Sequence, residues 1–229
     1  MARLPNVPTV WSNVFTGWIL GLGSFFTVAD RANFGWVLLI ATMFYVGGTM
    51  LNDAHDANYD RQNRPERPIP SGRVSRLLAC IVGALLLGLG SCLSLWPDHS
   101  FFYENSLFCL LPLILLYTFV HKRVPLIGGV LMGLCRMFLG LGAYYHGNVD
   151  IAESQEVWAC SLFAYICTLS WIAMGESVRW RRITVVWMLT ALPLLDAAFL
   201  IFAGDARMIF VSLGCFGLAW YLRRVASPT

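Results

Sequence analysis

The sequence predicts an all-α fold: a polytopic membrane bundle of about eight transmembrane helices, formed by residues 1–229 as a single domain. Apolar residues make up 58% of the 229 positions and charged residues only 13%. Soluble domains usually carry about 25% charged residues, so this chain has too few for an ordinary water-exposed surface. The apolar residues also form long runs, which must be helical in a bilayer because their backbone polar groups find no water there.

The first four runs are each expected to form a membrane span, for which roughly 20 mostly apolar residues are needed. They are Trp11–Ala29, Phe34–Ala54, Leu77–Trp96 and Ser106–Val120. The first run has neither the basic start nor the small-residue cleavage site of a signal peptide, so we expect a retained span. The second leads directly into a polar segment, and the fourth is short enough to need interfacial residues.

The last four runs are Pro125–Tyr145, Val157–Met174, Ile183–Phe202 and Met208–Leu222. The fifth span of the chain carries Arg136 about 11 residues from its start, roughly 16 Å deep at 1.5 Å per residue. The seventh carries Asp196 near Pro193. Ionisable groups within spans are costly and mark candidate functional positions. For Arg136 we weigh substrate contact against pairing with a carboxylate, whereas Asp196 is better explained by a structural partner or a kink.

Basic residues orient the bundle. With the N-terminus in the cytoplasm, the inner segments hold Arg3, Arg61, Arg64, Arg67, Arg73, Arg76, Lys122, Arg123, Arg179, Arg181, Arg182, Arg223 and Arg224. The outer connections hold only Arg31 and Arg207. This asymmetry follows the positive-inside rule. We therefore expect a multi-pass protein of a bacterial or archaeal cell membrane with both termini cytoplasmic.

Charge and cysteine usage exclude other classes. The net charge is +3, and no basic run is interleaved with aromatic residues, so a nucleic-acid partner is not expected. The seven cysteines lie in or beside apolar runs, without CxxC or Cys/His metal spacing. They are interpreted as small buried apolar side chains, and neither disulfides nor zinc is implied.

Acidic residues are concentrated where the second span meets the largest inner loop, in the sequence NDAHDANYDRQNRPERPIPSG from residue 52 to residue 72. If the second helix continues past the bilayer, Asp53, Asp56 and Asp60 share one face at i, i+3 and i+7, with Asn52 and Asn63 on the same side. Three carboxylates on one face repel one another unless a divalent cation neutralises them. Oxygen ligands favour Mg²⁺, which typically binds one or two carboxylates together with substrate phosphates.

Two arginines follow the carboxylates, and the planar guanidinium groups of Arg64 and Arg67 suit phosphate oxygens. A site with a metal and arginines at the membrane surface suits a lipid with a diphosphate head. The plainer interpretation is a solvated loop of mixed charge, which does not readily account for three Asp in helical register before a stiff Arg-Pro stretch.

The segment resembles the first aspartate-rich motif of the UbiA-type prenyltransferase superfamily, NDxxDxxxD followed by NRPxRPIxSG. Weaker matches lie in RLPNVPTVWSNVFTG from residue 3, YTFVHKR from residue 117 and GLCRMFLGLG from residue 133. Through these matches Asn13, Tyr117, Lys122, Arg123 and Arg136 correspond to family positions. Together they cover most of the first two-thirds of the chain.

The resemblance implies helices around a central cavity that opens to lipid, and transfer of an isoprenoid from a prenyl diphosphate to a lipophilic or aromatic acceptor with Mg²⁺ bridging the diphosphate. It implies metal binding by Asp53, Asp56 and Asp60, which with Lys122 form the expected catalytic set. The expected substrate-binding residues are Asn13, Asn52, Arg64, Arg67, Tyr117, Arg123, Arg136 and Glu176. His55 and His121 near this site are interpreted as polar interface residues.

The chain departs from the family pattern at the end of its sixth span, where a second aspartate-rich motif is usual. Only Glu176 remains there as a carboxylate, and the chain is one helix shorter than the usual nine. A diverged enzyme is the favoured interpretation, and a non-catalytic prenyl-lipid-binding or scaffold protein is the alternative. A CDP-alcohol phosphotransferase lacks support because the DGxxAR pattern is missing. A transporter lacks it because no pair of broken helices is evident.

Overall fold

The computed structural model describes residues 4–22, 28–95, 101–147, 153–174 and 179–226, and within them the chain is helical. The α-helices are α1 (Val7–Leu22), α2 (Val28–His55), α3 (Ala57–Asn63), α4 (Arg76–Ser94), α5 (Phe101–Val120), α6 (Pro125–Gly147), α7 (Glu153–Ala173), α8 (Arg179–Phe202) and α9 (Ile209–Ala226). Short 3-10 helices cover Leu4–Asn6 and Ala206–Met208. The expected all-α fold is confirmed.

Each of the eight expected spans corresponds to one long helix. Among the described residues, six helical segments are long and apolar enough to cross a membrane: they lie in α2, α4, α6, α7, α8 and the stretch Ala206–Val225, which covers most of α9. The apolar part of α5 with described side chains is shorter, Cys109–Val120. The largest boundary difference is in α1, which begins at Val7 instead of Trp11 and ends at Leu22. Pro8 is compatible with that earlier start because proline is tolerated in the first helical turn.

Helix α1 lies at the centre of the bundle, where it packs against α2, α6, α8 and α9. Its side chains Val10, Val14, Trp18 and Ile19 are almost completely buried. The buried polar side chains of the same helix, Thr9, Ser12 and Asn13, are hydrogen-bonded, as polar groups in such a position must be. The other long helices surround it and leave large apolar side chains on the outer surface, Leu77, Leu85, Phe202 and Phe210 among them.

The polar segment between α2 and α4 is packed onto the ends of both helices. A small apolar cluster of Ala54, Ala57, Ile69 and Ala79 joins α2, α3, the loop and α4. Arg76 Nε donates a hydrogen bond to the Ala54 carbonyl oxygen at 2.9 Å. Since Ala54 immediately follows the first motif aspartate, these contacts fix the carboxylate-bearing corner against α4.

The expected burial of the cysteines is only partly correct. Cys167 and Cys215 are buried, but Cys92 and Cys160 are exposed on the helix surfaces. An apolar thiol on the outside of a bundle is unremarkable where lipid, and not water, is the solvent.

Candidate active site

The acidic motif lies at the corner where α2 turns into α3. Helix α2 ends at His55, and Asp56 is a turn residue before α3 begins at Ala57. The expectation of one uninterrupted helix through the motif is therefore wrong. The backbone nevertheless keeps helical hydrogen bonds across it, from Asp56 N to Asn52 O and from Asp60 N to Asp56 O, both at 2.9 Å. Asn52, Asp56 and Asp60 therefore still lie on one buried face.

Basic groups surround the Asp56 carboxylate, which is 4% exposed. Its Oδ2 lies 3.1 Å from His121 Nε2, 3.6 Å from Lys122 Nζ and 3.5 Å from Asn52 Nδ2. Its Oδ1 lies 3.6 Å from His55 Nδ1. Lys122 also lies over the ring of Tyr59, with Nζ 4.1 Å from the centroid. The turn between α5 and α6 is thus joined electrostatically to the motif.

These neighbours keep Asp56 ionised. Burial by itself raises the pKa of this carboxyl group, because a charge loses hydration inside the protein. The hydrogen bond from His121 and the positive charges at His121, Lys122 and His55 outweigh that effect and lower the pKa below 3.8. At neutral pH the corner therefore presents an anionic oxygen that can accept a metal or a hydrogen-bond donor.

Asp60 lies on the other side of the corner, against the loop that follows α3. Arg67 Nη1 donates to Asp60 Oδ2 at 2.7 Å, a charge-assisted bond to a carboxylate that is 1% exposed. A small, shallow pocket lies beside this pair and is lined by Asp53, Asp60, Arg67, Pro68, Ile69 and Pro70. Two carboxylates and one guanidinium group therefore face the same small space.

Two buried oxygen atoms at this corner suit a cation. Oδ1 of Asn52 and Oδ1 of Asp60 have no hydrogen-bond partner among the residues that the structure describes. Leaving a buried acceptor unpaired costs about 1–3 kcal/mol, and an oxygen-seeking ion would relieve that cost.

The donor set fits Mg²⁺. Within the described ranges, no three acidic, His or Cys side chains gather as a ready-made metal cluster. The expected convergence of Asp53, Asp56 and Asp60 on one point is therefore not seen. Mg²⁺ commonly takes one or two protein carboxylates and completes its shell with substrate phosphates and water, which this corner allows.

The other expected cationic and aromatic residues lie around the same corner. Arg64 caps α3, and its backbone N donates to Asp60 O at 2.7 Å. Arg123 is exposed in the turn between α5 and α6, beside Lys122. Tyr117 stacks on His121 with ring centroids 4.7 Å apart. Asn63 is exposed and bonds the carbonyl of Tyr59, so it does not take part in the buried face.

Asn13 and Arg136 belong to a separate polar network in the centre of the bundle. Arg136 is buried and donates to Asn13 Oδ1 at 2.9 Å and to Thr9 Oγ1 at 3.1 Å. Asn13 Nδ2 in turn donates to Asp196 Oδ2 at 2.8 Å. Asp196 also accepts hydrogen bonds from Ser12 and Trp158. These side chains satisfy one another, and Arg136 is linked to the Asp196 carboxylate through Asn13. Contact of Arg136 with a substrate stays a prediction.

One residue near the site was missed by the sequence reasoning. The sequence analysis interprets His121 as a polar interface residue, yet of the side chains described above it lies closest to the Asp56 carboxylate. The only signal was its place immediately before Lys122 in the YTFVHKR stretch, and nothing in the spacing indicates which carboxylate it meets. The expected site residue Glu176 lies outside the described residues.

The sequence is similar to a known protein family and to several of its members. The sequence model described as the UbiA prenyltransferase family matches residues 8–176. A digeranylgeranylglyceryl phosphate synthase from Metallosphaera sedula is 29% identical over 175 residues, which cover 74% of this chain and 58% of the relative. The synthase of that name from Methanopyrus kandleri is 36% identical over 201 residues, covering 72% of this chain and 69% of the relative. The chain thus spans little more than half the length of the first relative.

Solved structures share the fold. A UbiA homologue from Archaeoglobus fulgidus bound to DMAPP and Mg²⁺ matches with a TM-score of 0.62 at 12% identity, covering 98% of this chain and 84% of that one. The same homologue bound to GPP and Mg²⁺ matches with a TM-score of 0.62 at 11% identity, covering 97% of each chain. At such identities the likeness concerns the fold.

Proposed function

The chain belongs to the UbiA prenyltransferase family, and we propose that it is a prenyltransferase of that family. It transfers an isoprenoid group from a prenyl diphosphate to a lipophilic acceptor within the membrane. Its apolar helices and its family make it an integral membrane protein. The observation that carries the proposal is the corner between α2 and α3, where two buried carboxylates, Asp56 and Asp60, each contact a basic side chain.

Mg²⁺ is the proposed metal, and one or two of the carboxylates of Asp53, Asp56 and Asp60 would hold it together with diphosphate oxygens and water. When bound, it would neutralise and orient the diphosphate as a Lewis acid. The unpaired Oδ1 atoms of Asn52 and Asp60 support this assignment from the protein side. The structure of an Archaeoglobus UbiA homologue bound to GPP and Mg²⁺ also supports this assignment.

The basic residues would stabilise the departing diphosphate. In the proposed reaction the allylic C–O bond breaks, its electron pair leaves with the diphosphate, and a nucleophilic atom of the acceptor attacks the resulting cation and loses a proton. Arg64, Arg67, Lys122 and Arg123 lie around the acidic corner and would face the negative charge that increases on the leaving group. Preorganised charge of this kind is usually the largest contribution to catalysis.

The bundle would hold the isoprenoid chain and exclude water that would otherwise quench the cation. Burying each CH₂ group contributes roughly 0.8 kcal/mol, so an isoprenoid tail anchors itself among apolar helices. Asn52 contacts Asp56, and Tyr117 stacks on His121, so both would line the head of such a site. Asn13 and Arg136 would contribute deeper in the bundle, through the network that ends at Asp196.

For the acceptor we propose a glyceryl phosphate lipid, because the relatives named above are digeranylgeranylglyceryl phosphate synthases. Their archaeal sources also support a bacterial or archaeal membrane as the location. Supplying an archaeal-type glyceryl phosphate lipid or an aromatic acceptor in parallel assays tests this choice. Product formed only with the aromatic acceptor would contradict it.

The experiment that tests the activity uses purified protein, radiolabelled prenyl diphosphates, Mg²⁺ and a membrane lipid extract. We expect a labelled lipid product, and we expect Asp56→Asn to abolish it. Glu66→Gln is the matched control, because Glu66 is an exposed carboxylate of the same segment whose backbone oxygen, and not its side chain, bonds Arg73.

Other outcomes separate the alternatives. Binding of prenyl diphosphate that depends on Mg²⁺ but gives no product would favour the non-catalytic lipid-binding role, which the lone Glu176 in place of a second acidic motif would also suit. Absence of prenyl diphosphate binding would exclude both roles.

A further inference from the structure

We propose that His121 is a positioning residue of this site, which sets the orientation of the Asp56 carboxylate from the turn between α5 and α6; the inference rests on the proposed function. His121 and Asp56 are 65 positions apart in sequence, and the contact from Nε2 to Oδ2 is 3.1 Å. Lys122 and Asn52 approach the same oxygen only to 3.6 Å and 3.5 Å. His121 is therefore the closest of the groups that hold this oxygen.

The imidazole ring is itself fixed on its other side. Nδ1 lies 2.9 Å from the carbonyl oxygen of Tyr117, one helical turn earlier. A carbonyl oxygen only accepts hydrogen bonds, so Nδ1 is the donor there and its orientation is set by the end of α5. The Tyr117 ring stacks on the imidazole with an interplanar angle of 18°. Rotation of the ring would lose the hydrogen bond and the stacking together.

A glycine of α6 makes room for this arrangement. A Cβ atom added at Gly128 would lie 2.8 Å from His121 Cβ and 2.9 Å from His121 Cα. Such distances are not tolerated without a shift of the neighbour. The start of α6 thus packs directly against the backbone of His121, so both α5 and α6 hold the histidine in place.

Because both ring nitrogens are engaged, His121 acts through Asp56 and does not itself touch the substrate. Side chains that hydrogen-bond a metal-binding carboxylate restrict its rotation, and their replacement typically weakens metal-dependent binding by 10–100-fold. Lys122 is more exposed and divides its charge between Asp56 and the Tyr59 ring, which suits a group that moves to a substrate phosphate.

The test compares two amides that differ in reach. In His121→Asn the amide replaces Nδ1, so it can bond the Tyr117 carbonyl but does not reach Asp56. In His121→Gln the amide lies near the place of Nε2 and can restore the contact with Asp56. Glu66→Gln is the control, because Glu66 is exposed in the same segment and its described bond, to Arg73, is made by its backbone oxygen and not by its side chain.

The measurement is the dissociation constant of geranyl thiodiphosphate, an unreactive substrate analogue, at a fixed Mg²⁺ concentration near the half-saturating value of the parent, with the Tm of each variant recorded in the same detergent. We expect His121→Asn to weaken binding about tenfold, and His121→Gln and Glu66→Gln to remain within about threefold of the parent. Parent-like binding by His121→Asn would overturn the inference. Equal losses in the Asn and Gln variants would do so too, since they would trace the effect to packing.

The result also separates this inference from the function on which it rests. If the parent protein does not bind the analogue, the proposed function fails. If the parent binds and His121→Asn binds equally well, only the positioning role fails. Should His121→Asn not fold, the folded His121→Gln protein decides: binding within threefold of the parent supports the role, and a tenfold loss overturns it.

Discussion

The buried carboxylate of Asp60 needs partners for both of its oxygen atoms. Its carboxylate is 1% exposed, one oxygen accepts a bond from Arg67, and the other has no partner among the described residues. A buried carboxylate is stable only when it is paired. The pair with Arg67 satisfies half of this requirement, and the remaining oxygen is available to a ligand.

Two replacements of Arg67 distinguish the effect of its positive charge from the effect of its planar guanidinium group. We expect Arg67→Gln to lower kcat/KM for the prenyl diphosphate by about 10²-fold, a typical cost of removing one charge-stabilising donor, and to lower Tm because Asp60 is left unpaired. Arg67→Lys keeps the charge but loses the planar fork, so its loss should be smaller, about tenfold. Initial rates with labelled prenyl diphosphate measure both variants.

Arg73→Gln is the control for Arg67. Arg73 is exposed and donates only to Ser71 Oγ and to the Glu66 carbonyl oxygen in the described contacts. Its replacement should leave kcat/KM near that of the parent. An equal loss in Arg73→Gln would mean that the segment responds to net positive charge and not to the pair with Asp60.

Residues of the motif were predictable from sequence, but their partners were not. The spacing of Asp56 and Asp60 gave their common face, because helical periodicity acts over a few residues. That His121 meets Asp56, and that Asn13 meets Arg136, depends on how separate helices are rotated against each other. No local pattern specifies this rotation.

Helices α1 and α6 approach each other closely. A Cβ added at Gly17 would collide with the backbone carbonyl of Gly140, and one added at Gly21 with that of Tyr144. Small residues let helix backbones approach closely in lipid, where no hydrophobic effect drives the helices together. The glycines thus bring Asn13 on α1 next to Arg136 on α6.

Gly17→Ala should therefore destabilise the bundle. The added methyl group meets backbone, which cannot rotate away, and overpacking of this kind costs about 1–3 kcal/mol. Gly214→Ala in α9 is the control, since an added Cβ there meets nothing within 4 Å. Thermal unfolding in detergent compares the two variants, and equal Tm values would show that α1 and α6 do not pack as closely as described.

The start of α6 gives a second test at this scale. Gly128→Ala should displace His121 and weaken binding of geranyl thiodiphosphate several-fold, about the lower end of the range for losing an outer contact of a metal site. Gly133→Ala lies on the same helix and is equally crowded, but it meets Cys167 Sγ at 2.8 Å on the side of α7. It should lower Tm without changing binding. Equal losses of binding in Gly128→Ala and Gly133→Ala would contradict a specific effect of Gly128 on His121.

At the scale of the whole molecule, the start and the end of the described chain lie together. Arg223 Nη2, near the end of α9, donates to Asn6 Oδ1 at 2.6 Å, just before α1. The cation of Arg224 lies over the ring of Trp220, 3.7 Å from its centroid, an arrangement common where a helix meets the membrane interface. With an even number of expected crossings, the inward bias of basic residues predicts that both ends lie in the cytoplasm.

Reporter fusions test this orientation. Green fluorescent protein joined after Thr229 should fluoresce, and alkaline phosphatase at the same place should be inactive, because the former folds only in the cytoplasm and the latter only outside it. Fusions after Gly147, at the far end of α6, should show the reverse pattern. Phosphatase activity at Thr229 would contradict the proposed topology and would move the acidic corner to the outer surface.

The sequence by itself determined the helical class, the approximate positions of the spans and the acidic motif at Asp53, Asp56 and Asp60. Each of these depends on residues close together in the chain: apolar runs of membrane length, and carboxylates within two helical turns. Tertiary structure alone decided that Asp56 meets His121, that Asp60 meets Arg67 beside a pocket, and that Asn13 links Arg136 to Asp196. The physical reason is that such contacts depend on helix rotation and approach, which close packing at residues such as Gly17 and Gly128 fixes.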